Sequence, residues 1–303
     1  MADEYLWDRT GKPDPEIARL EKLLAGYGYA APRRRSRFPM LLAVAAGLAL
    51  VASASIWLTR APVSEWKIAG KGVTVGQTIV TNGTAGAKLE AEQVGNIVLD
   101  ANSRLRIVRS AGDRQELALQ RGTMHALIWA PPSRFVVDTP SARTIDLGCS
   151  YTLTVLTDNS GMLTVQTGWV AFQAGAIESF IPAGAACRTR AHRGPGLPYF
   201  EDAPPALREA VARFETSGGR EDLDAIEQNA RKRDALTLWH LMLRTSGSDR
   251  DSVVRRFADL VPGVDVEGLG AGNSEAIDQA WNQLGLGRTD WWRSWKHSWR
   301  TIK

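Results

Sequence analysis

The side chains best suited to acid–base or metal chemistry in this chain are its four histidines, and their spacing predicts no reactive centre. His125, His192, His240 and His297 stand far apart, and none has a second ligand at the spacing of a zinc site. His125 alternates into a predicted strand and His240 follows Trp239 on a predicted helix, so we interpret both as packing or surface positions. The chain also lacks a Gly-x-Ser-x-Gly elbow, a Walker loop and a dinucleotide-binding fingerprint. We therefore expect no catalytic residue, no cofactor and no bound metal.

The two cysteines are the remaining groups with covalent chemistry. Cys149 and Cys187 lie 38 residues apart, on the C-terminal side of a long apolar run, in a part of the chain that we predict to lie outside the cytoplasm. An oxidising compartment permits a disulfide there, which would stabilise the fold by about 3–4 kcal/mol on the loop-entropy model. A cysteine on a strand is also a common small core residue. The pair is therefore a candidate disulfide, with two buried thiols as the alternative.

Apolar side chains near the N-terminus have the types and spacing of a protein-binding surface. Asp14, Pro15 and Glu16 predict the start of a helix, and Gly26 and Gly28 its end. The residues that we assign to partner binding are Tyr5, Leu6, Trp7, Ile17, Leu20 and Leu24. So short a segment cannot bury them by itself, and exposed aromatic groups commonly anchor a partner. The alternative is a head that serves only membrane insertion.

An uninterrupted apolar run separates this head from the rest of the chain. Residues 39–58 carry no charged side chain, and 20 helical residues cover about 30 Å, the thickness of the hydrocarbon core of a bilayer. A core helix is usually shorter and amphipathic. We therefore predict one transmembrane helix at residues 39–59, and the lipid bilayer as a partner.

Charge on the two sides of the run predicts its orientation. Arg33, Arg34, Arg35 and Arg37 precede it, whereas Arg60 alone directly follows it. Positive charge beside a span stays cytoplasmic, so the head at residues 1–38 is inside and the remainder outside. A cleavable signal peptide is the alternative, because Ala-Ser-Ala at 52–54 resembles a cleavage site. The head is much longer than an ordinary signal n-region, which favours the anchor.

Residues 66–190 have the pattern of a β domain. Short alternating apolar and polar segments recur at intervals near ten residues, with turn residues such as Gly95 and Gly122 between them. This spacing predicts an all-β sandwich or a solenoid-like β domain, and periodicity does not decide between the two.

The period becomes helical over residues 203–303. Apolar stripes predict several short helices that form a small all-α domain. Ser248 with Asp251 resembles a capping box, and Asn273 is a predicted N-cap. Four tryptophans at 291–299 either close the core of this domain or lie at the membrane surface.

Net charge adds little about partners. The chain of 303 residues carries a formal charge of +4, which is ordinary once the four arginines beside the span are set aside. A nucleic-acid partner is therefore not expected.

Within the β region, several short motifs occur in an order that resembles the FecR domain. The motifs are Val75-Gly76-Gln77, Gly122-Thr123-Met124, Val136-Val137-Asp138-Thr139-Pro140, Asp146-Leu147-Gly148, Tyr151-Thr152-Leu153 and Thr167-Gly168-Trp169-Val170. The resemblance implies a single-pass bacterial inner-membrane regulator with a cytoplasmic N-terminus and periplasmic C-terminal domains. It implies an extracytoplasmic-function sigma factor, or another cytoplasmic regulator, as the inner partner, and a periplasmic or outer-membrane protein as the outer one.

The sequence thus predicts a multidomain chain. It contains a helical head at 1–38, a transmembrane helix at 39–59, a FecR-like β domain at 66–190 and an α-helical domain at 203–303. The function predicted from it is signal relay across the membrane. The alternative is an anchored periplasmic scaffold protein that binds no sigma factor.

The topology is testable with reporters fused after Lys303. We expect a reporter that works only in the periplasm to be active there, because the arginine cluster holds the head inside. Alkaline phosphatase activity, compared with that of a cytoplasmic fluorescent reporter, measures this. An active cytoplasmic reporter contradicts the orientation, and a soluble fragment that begins near Ser55 supports the signal peptide instead.

Overall fold

The computed structural model describes residues 14–27, 66–111 and 114–287. The chain divides into two compact units, Met1–Arg60 and Ala61–Lys303, and each is described by itself. The predicted span at 39–59 and the tryptophans at 291–299 lie outside the described residues. Within the described ranges, no helix combines the length and apolar character needed to cross a bilayer.

The described part of the first unit is one helix, α1, at Pro15–Leu24, which continues into a 3-10 turn at Ala25–Tyr27. Asp14 is its N-cap, and the Asp14 carboxylate accepts a hydrogen bond from the backbone N–H of Glu16 at 2.9 Å. The predicted helix and its cap are confirmed.

The second unit begins with strands. They are β1 Lys67–Ile68, β2 Lys71–Gly72, β3 Thr78–Val80, β4 Ala87–Ala91, β5 Gly95–Leu99, β6 Arg104–Ala111, β7 Arg114–Ile128, β8 Phe135–Asp138, β9 Arg143–Asp146, β10 Ser150–Val155, β11 Gly161–Thr167, β12 Trp169–Ala174, β13 Ile177–Pro182, β14 Ala185–Arg190, β15 Gly194–Pro195 and β16 Tyr199–Phe200.

These strands form two sheets that share the long strand β7. The first sheet has the order β2–β1–β4–β5–β7–β10–β11–β14, and β15 and β16 both pair with β14. The second sheet has the order β3–β6–β7–β8–β9–β12–β13. Neighbouring strands are antiparallel except β7 and β8, which are parallel. The buried side chains of both sheets belong to one core, so the predicted β domain is confirmed.

Strand β7 changes sheets at Gly122. Its first half, up to Arg121, pairs with β6 and β8, and its second half, from Gly122, pairs with β5 and β10. Gly122 has a φ of 91°, in the left-handed region that favours glycine. A Cβ atom there would also overlap Ser103. The Ser103 hydroxyl accepts a hydrogen bond from the Thr123 backbone N–H at 3.0 Å, so the crossing point is tightly packed.

Helices follow the strands in the same unit. They are α2 Pro205–Ser217, α3 Arg220–Asn229, α4 Ala235–Met242, α5 Gly247–Leu260, α6 Val266–Ala271 and α7 Ser274–Gln283. Their buried residues, such as Leu207 and Phe257, belong to the same core as the strands. Asn273 caps α7 as predicted, through a hydrogen bond from the Glu275 N–H. Ser248 does not cap α5, because that helix already begins at Gly247 with Ser246 at the N-cap position.

The packing at the crossing point is testable by substitution. We expect Gly122→Ala to lower the free energy of unfolding by about 2–5 kcal/mol, because it adds an overlap with Ser103 to the strain of a left-handed residue. Gly175→Ala is the matched control, since Gly175 has a φ of 58° and open space around it. Its expected cost is about 1–2 kcal/mol. Equal losses in urea unfolding would contradict the close approach.

Candidate partner-binding site

The apolar side of α1 is exposed. Leu20, Leu23 and Leu24 are each more than half exposed, and Tyr27 is 88% exposed. Ile17 lies one turn earlier and is partly exposed. Residues three and four apart lie on the same side of a helix, so these groups form one continuous stripe.

Local interactions, rather than the packing of buried side chains, stabilise α1. No residue of the helix is buried. Asp14 caps the start, Pro15 occupies the first turn, Glu16 lies near the positive helix end and Lys22 near the negative end. A ten-residue helix is marginal in water without a packed face. Its stripe is therefore suited to insertion into the groove of another protein.

Three of the six predicted partner-binding residues can be assessed. The structure brings Ile17, Leu20 and Leu24 onto one helix side, and Leu23 and Tyr27 widen the stripe. Sequence reasoning missed Leu23, although its helical spacing from Leu20 and Tyr27 could have identified it. Tyr5, Leu6 and Trp7 lie outside the described residues.

A second arrangement joins the strands of the second unit to its helices. His240 on α4 is 1% exposed, and its Nε2 accepts a hydrogen bond from the backbone N–H of Phe180 at 3.0 Å. Its Nδ1 lies 2.9 Å from the carbonyl oxygen of Leu236. An amide can only donate, so the imidazole is neutral and its Nδ1–H donates to Leu236. Burial lowers the pKa of His240 to about 3.

Aromatic rings surround this histidine. The ring of Trp281 lies 4.8 Å from that of Trp239, 5.8 Å from that of Trp169 and 5.8 Å from that of Phe180. Phe180 is on β13, at the edge of the second sheet. The helices therefore cover this edge, and His240 accepts a hydrogen bond from a buried backbone donor of the edge strand. Sequence reasoning allowed for packing at His240 but had no signal for its strand partner.

The predicted Cys149–Cys187 disulfide is not formed, and both thiols are free and buried. Cys187 pairs with Leu163 on β11, which pairs with Leu153 on β10. Cys149 precedes Leu153 by four residues. Two strand spacings and four residues place the two Cα atoms about 16 Å apart, far beyond the reach of a disulfide. The physical reason is that Cys149 directly precedes β10 whereas Cys187 lies on β14, and β11 separates these two strands.

Cys149 instead belongs to a buried polar cluster. Asp146 is 1% exposed and accepts hydrogen bonds from the Cys149 thiol and, at 2.7 Å, from the Gly148 N–H. Burial raises the pKa of Asp146 to about 7, although these hydrogen bonds act in the opposite direction. Burial, together with the nearby Asp146, also raises the pKa of the Cys149 thiol well above its usual value. The Asp146-Leu147-Gly148 motif is thus a side-chain-bridged turn within the core.

A further hydrogen-bonded group lies on the outer face of the first sheet. The His125 Nε2 is 3.2 Å from both Asp100 carboxylate oxygens, and its Nδ1 is 3.0 Å from the Thr152 hydroxyl. His125 and Asp100 are about half exposed, so the interpretation of His125 as a surface position is confirmed. Within the described ranges, no group of three or more His, Cys, Asp or Glu side chains is placed to hold a metal ion.

Comparison with known proteins identifies the β region. A family model described as FecR protein matches residues 77–171, which confirms the resemblance drawn from the motifs. A crystal structure described as a "putative anti-sigma factor" from Parabacteroides distasonis aligns at 18% identity over 45% of this chain and 64% of that chain, with a TM-score of 0.37. A second structure with the same description aligns at 16% identity over 50% and 74% of the two chains, also with a TM-score of 0.37. No curated protein matches the chain.

The neutral His240 predicts a pH-dependent stability. Its pKa is lower in the folded than in the unfolded state, so the stability it confers is complete above about pH 6.5 and is lost as the pH falls towards 3. His240→Gln removes this titration. From pH 7 to pH 4, we expect the wild type to lose about 3 kcal/mol relative to the variant in denaturant unfolding. Unfolding free energies that stay parallel over this range would contradict the buried neutral state.

Proposed function

We propose that this FecR-domain protein is a single-pass regulator of the bacterial inner membrane, which relays a periplasmic signal to a cytoplasmic sigma factor. The observation that carries the proposal is the FecR domain at residues 77–171. Proteins of the FecR type couple an exported β domain to a sigma factor bound inside the cell, as the resemblance of the motifs implied.

The N-terminal helix supports the inner half of this relay. The Leu20–Leu23–Leu24 stripe has no packing partner within the described part of its unit. An exposed aliphatic stripe on a capped helix has the form of a groove-binding segment, with anchors one turn apart. In this proposal the sigma factor supplies the groove, and α1 is held or released according to the state of the outer unit.

The apolar run at 39–58 and the arginines before it support the transmembrane half. Four arginines precede the run and Arg60 alone directly follows it, a bias that orients the head towards the cytoplasm. The second unit is then periplasmic. There, a periplasmic or outer-membrane protein supplies the signal, and the FecR domain receives it.

The sigma-factor partner can be tested by co-purification of the full chain from membranes with each extracytoplasmic-function sigma factor of its host. We expect one sigma factor to be retained. Leu20→Ala and Leu24→Ala should each weaken its binding about 30-fold, the equivalent of about 2 kcal/mol for a central anchor. Calorimetry or surface plasmon resonance with detergent-solubilised protein measures this loss.

Lys22→Ala is the matched control, because Lys22 lies on the opposite side of α1 from Leu20 and Leu24. It should bind as the wild type does. Membrane insertion should be the same in all three variants, since the span and its arginines are unchanged. If no sigma factor is retained, or if the leucine variants bind normally, the relay is contradicted and the anchored scaffold takes its place.

A further inference from the structure

We propose that the outer face of the second sheet binds anionic phospholipid headgroups of the membrane in which the chain is anchored. This inference rests on the membrane anchor of the proposed function. The proposed binding surface is the face of β3, β6 and β7 on the side away from the core.

Four exposed arginines share this face. Arg104, Arg106 and Arg109 lie on β6, and Arg121 lies on β7. Their strand neighbours Leu105, Ile107 and Leu119 are fully buried on the opposite side. Alternation directs Arg104 and Arg106 outward. Register shifts between Ile107 and Arg109 and between Arg104 and Leu105 bring Arg109 and Arg121 to the same exposed face.

The acidic side chains of the same face are already engaged. Glu116 lies directly opposite Arg109 on the neighbouring strand but pairs with Arg114 at 2.5 Å. Asp138 holds Arg143 through two hydrogen bonds of 2.6 and 2.9 Å. Within the described residues, none of the four outward arginines makes an ion pair or a side-chain hydrogen bond. These are Arg104, Arg106, Arg109 and Arg121.

The strand register places like charges side by side. Arg104 lies directly opposite Arg121 on the neighbouring strand, an arrangement that is destabilising when nothing separates the charges. Phosphate groups relieve this repulsion, because guanidinium groups bind phosphate oxygens through paired hydrogen bonds. Thr78 and Ala118 lie opposite Arg106 on the two neighbouring strands. Their side chains are short, so the arginine side chains extend further from the sheet than the surface between them.

The helices of the described second unit do not bury these arginines, all four of which are exposed. They cover the opposite edge, where Phe180 and Trp169 contact Trp281. The arginines extend about 16 Å along β6, from Arg104 to Arg109. An exposed face of this size fits an array of headgroups better than an extended peptide, which binds in a groove or along a strand edge.

In the proposed topology, only a short segment connects the membrane span to the second unit. The predicted span ends at Thr59, and the described part of the second unit begins at Trp66, so at most about 25 Å of extended chain connects them. Trp66 donates a hydrogen bond to the Gln115 side chain at 3.1 Å. Gln115 lies opposite Ser110, one residue from Arg109. Trp66 therefore lies at the end of the sheet where the four arginines begin. In the proposed topology, the short connection to the span raises the effective concentration of lipid at that face.

Energy transfer in nanodiscs tests the proposal with the full chain. A donor dye is attached through Gln120→Cys, which is exposed beside Arg121, while the native Cys149 and Cys187 are buried and unlabelled in the folded protein. The discs carry acceptor-labelled lipid and contain either phosphatidylcholine alone or phosphatidylcholine with phosphatidylglycerol. We expect higher transfer efficiency in the anionic discs, and its loss in 0.5 M NaCl, because salt screens charge at the membrane surface.

A double substitution and a matched control separate this face from overall charge. Arg104→Glu with Arg106→Glu should lower transfer in anionic discs to the value in neutral discs. Lys232→Glu with Arg255→Glu makes the same change in net charge at exposed positions, in the 3-10 turn before α4 and on α5, and should leave transfer unchanged. Circular dichroism melts verify that both variants are folded, and the salt measurement on the wild type requires no substitution.

The outcomes separate this inference from the function on which it rests. A chain that does not co-purify with neutral discs contradicts the membrane anchor. A chain that co-purifies with both discs but gives the same transfer in each contradicts the lipid-binding face. Equal losses in the two charge variants contradict it as well. An arginine variant that loses signalling while its transfer stays normal assigns the face to an acidic protein and overturns the lipid assignment.

Discussion

The structure of the second unit depends on one strand that belongs to two sheets. Strand β7 supplies backbone hydrogen bonds to β6 and β8 before Gly122 and to β5 and β10 after it. A side chain at Gly122 would overlap Ser103, so the crossing requires glycine at this point. Because both sheets are registered on the same strand, their inward residues meet as one core. The same register places Arg104 of β6 beside Arg121 of β7 on the outer face.

The helices cover β13, an edge strand of the second sheet. An edge strand presents unpaired backbone groups that favour association with other chains. On β13, the Phe180 N–H is bonded to His240, and the ring of Trp281 packs against the Phe180 ring. A buried polar atom without a partner costs about 1–3 kcal/mol. The neutral imidazole therefore supports both the sheet and the helix that carries it, and the two parts form one compact unit.

Two buried titratable groups respond to pH in opposite directions. Burial lowers the pKa of His240 to about 3 and raises that of Asp146 to about 7. As the pH rises from about 4 to 7, an unfolded aspartate ionises before the folded one does, so the contribution of Asp146 to stability falls. Over much of the same pH range, the contribution of His240 to stability rises. Stability near neutral pH thus depends on two groups of the core, in contrast to the surface arginines that we assign to lipid.

Local sequence patterns determined the helix α1, its Asp14 cap and the alternating strands, because these features depend on residues within one or two turns of each other. The FecR motifs could also be recognised in the sequence. The sheet crossing requires glycine at position 122, and the turn at Asp146-Leu147-Gly148 requires a side chain that accepts a hydrogen bond from the Gly148 N–H. Only the tertiary structure decided which strands pair. That pairing placed Cys149 and Cys187 too far apart to bond, buried His240 against a strand 60 residues away and aligned Arg104 with Arg121. The physical reason is that strand register and sheet crossing are set by contacts distant in sequence, which a period of two residues does not encode.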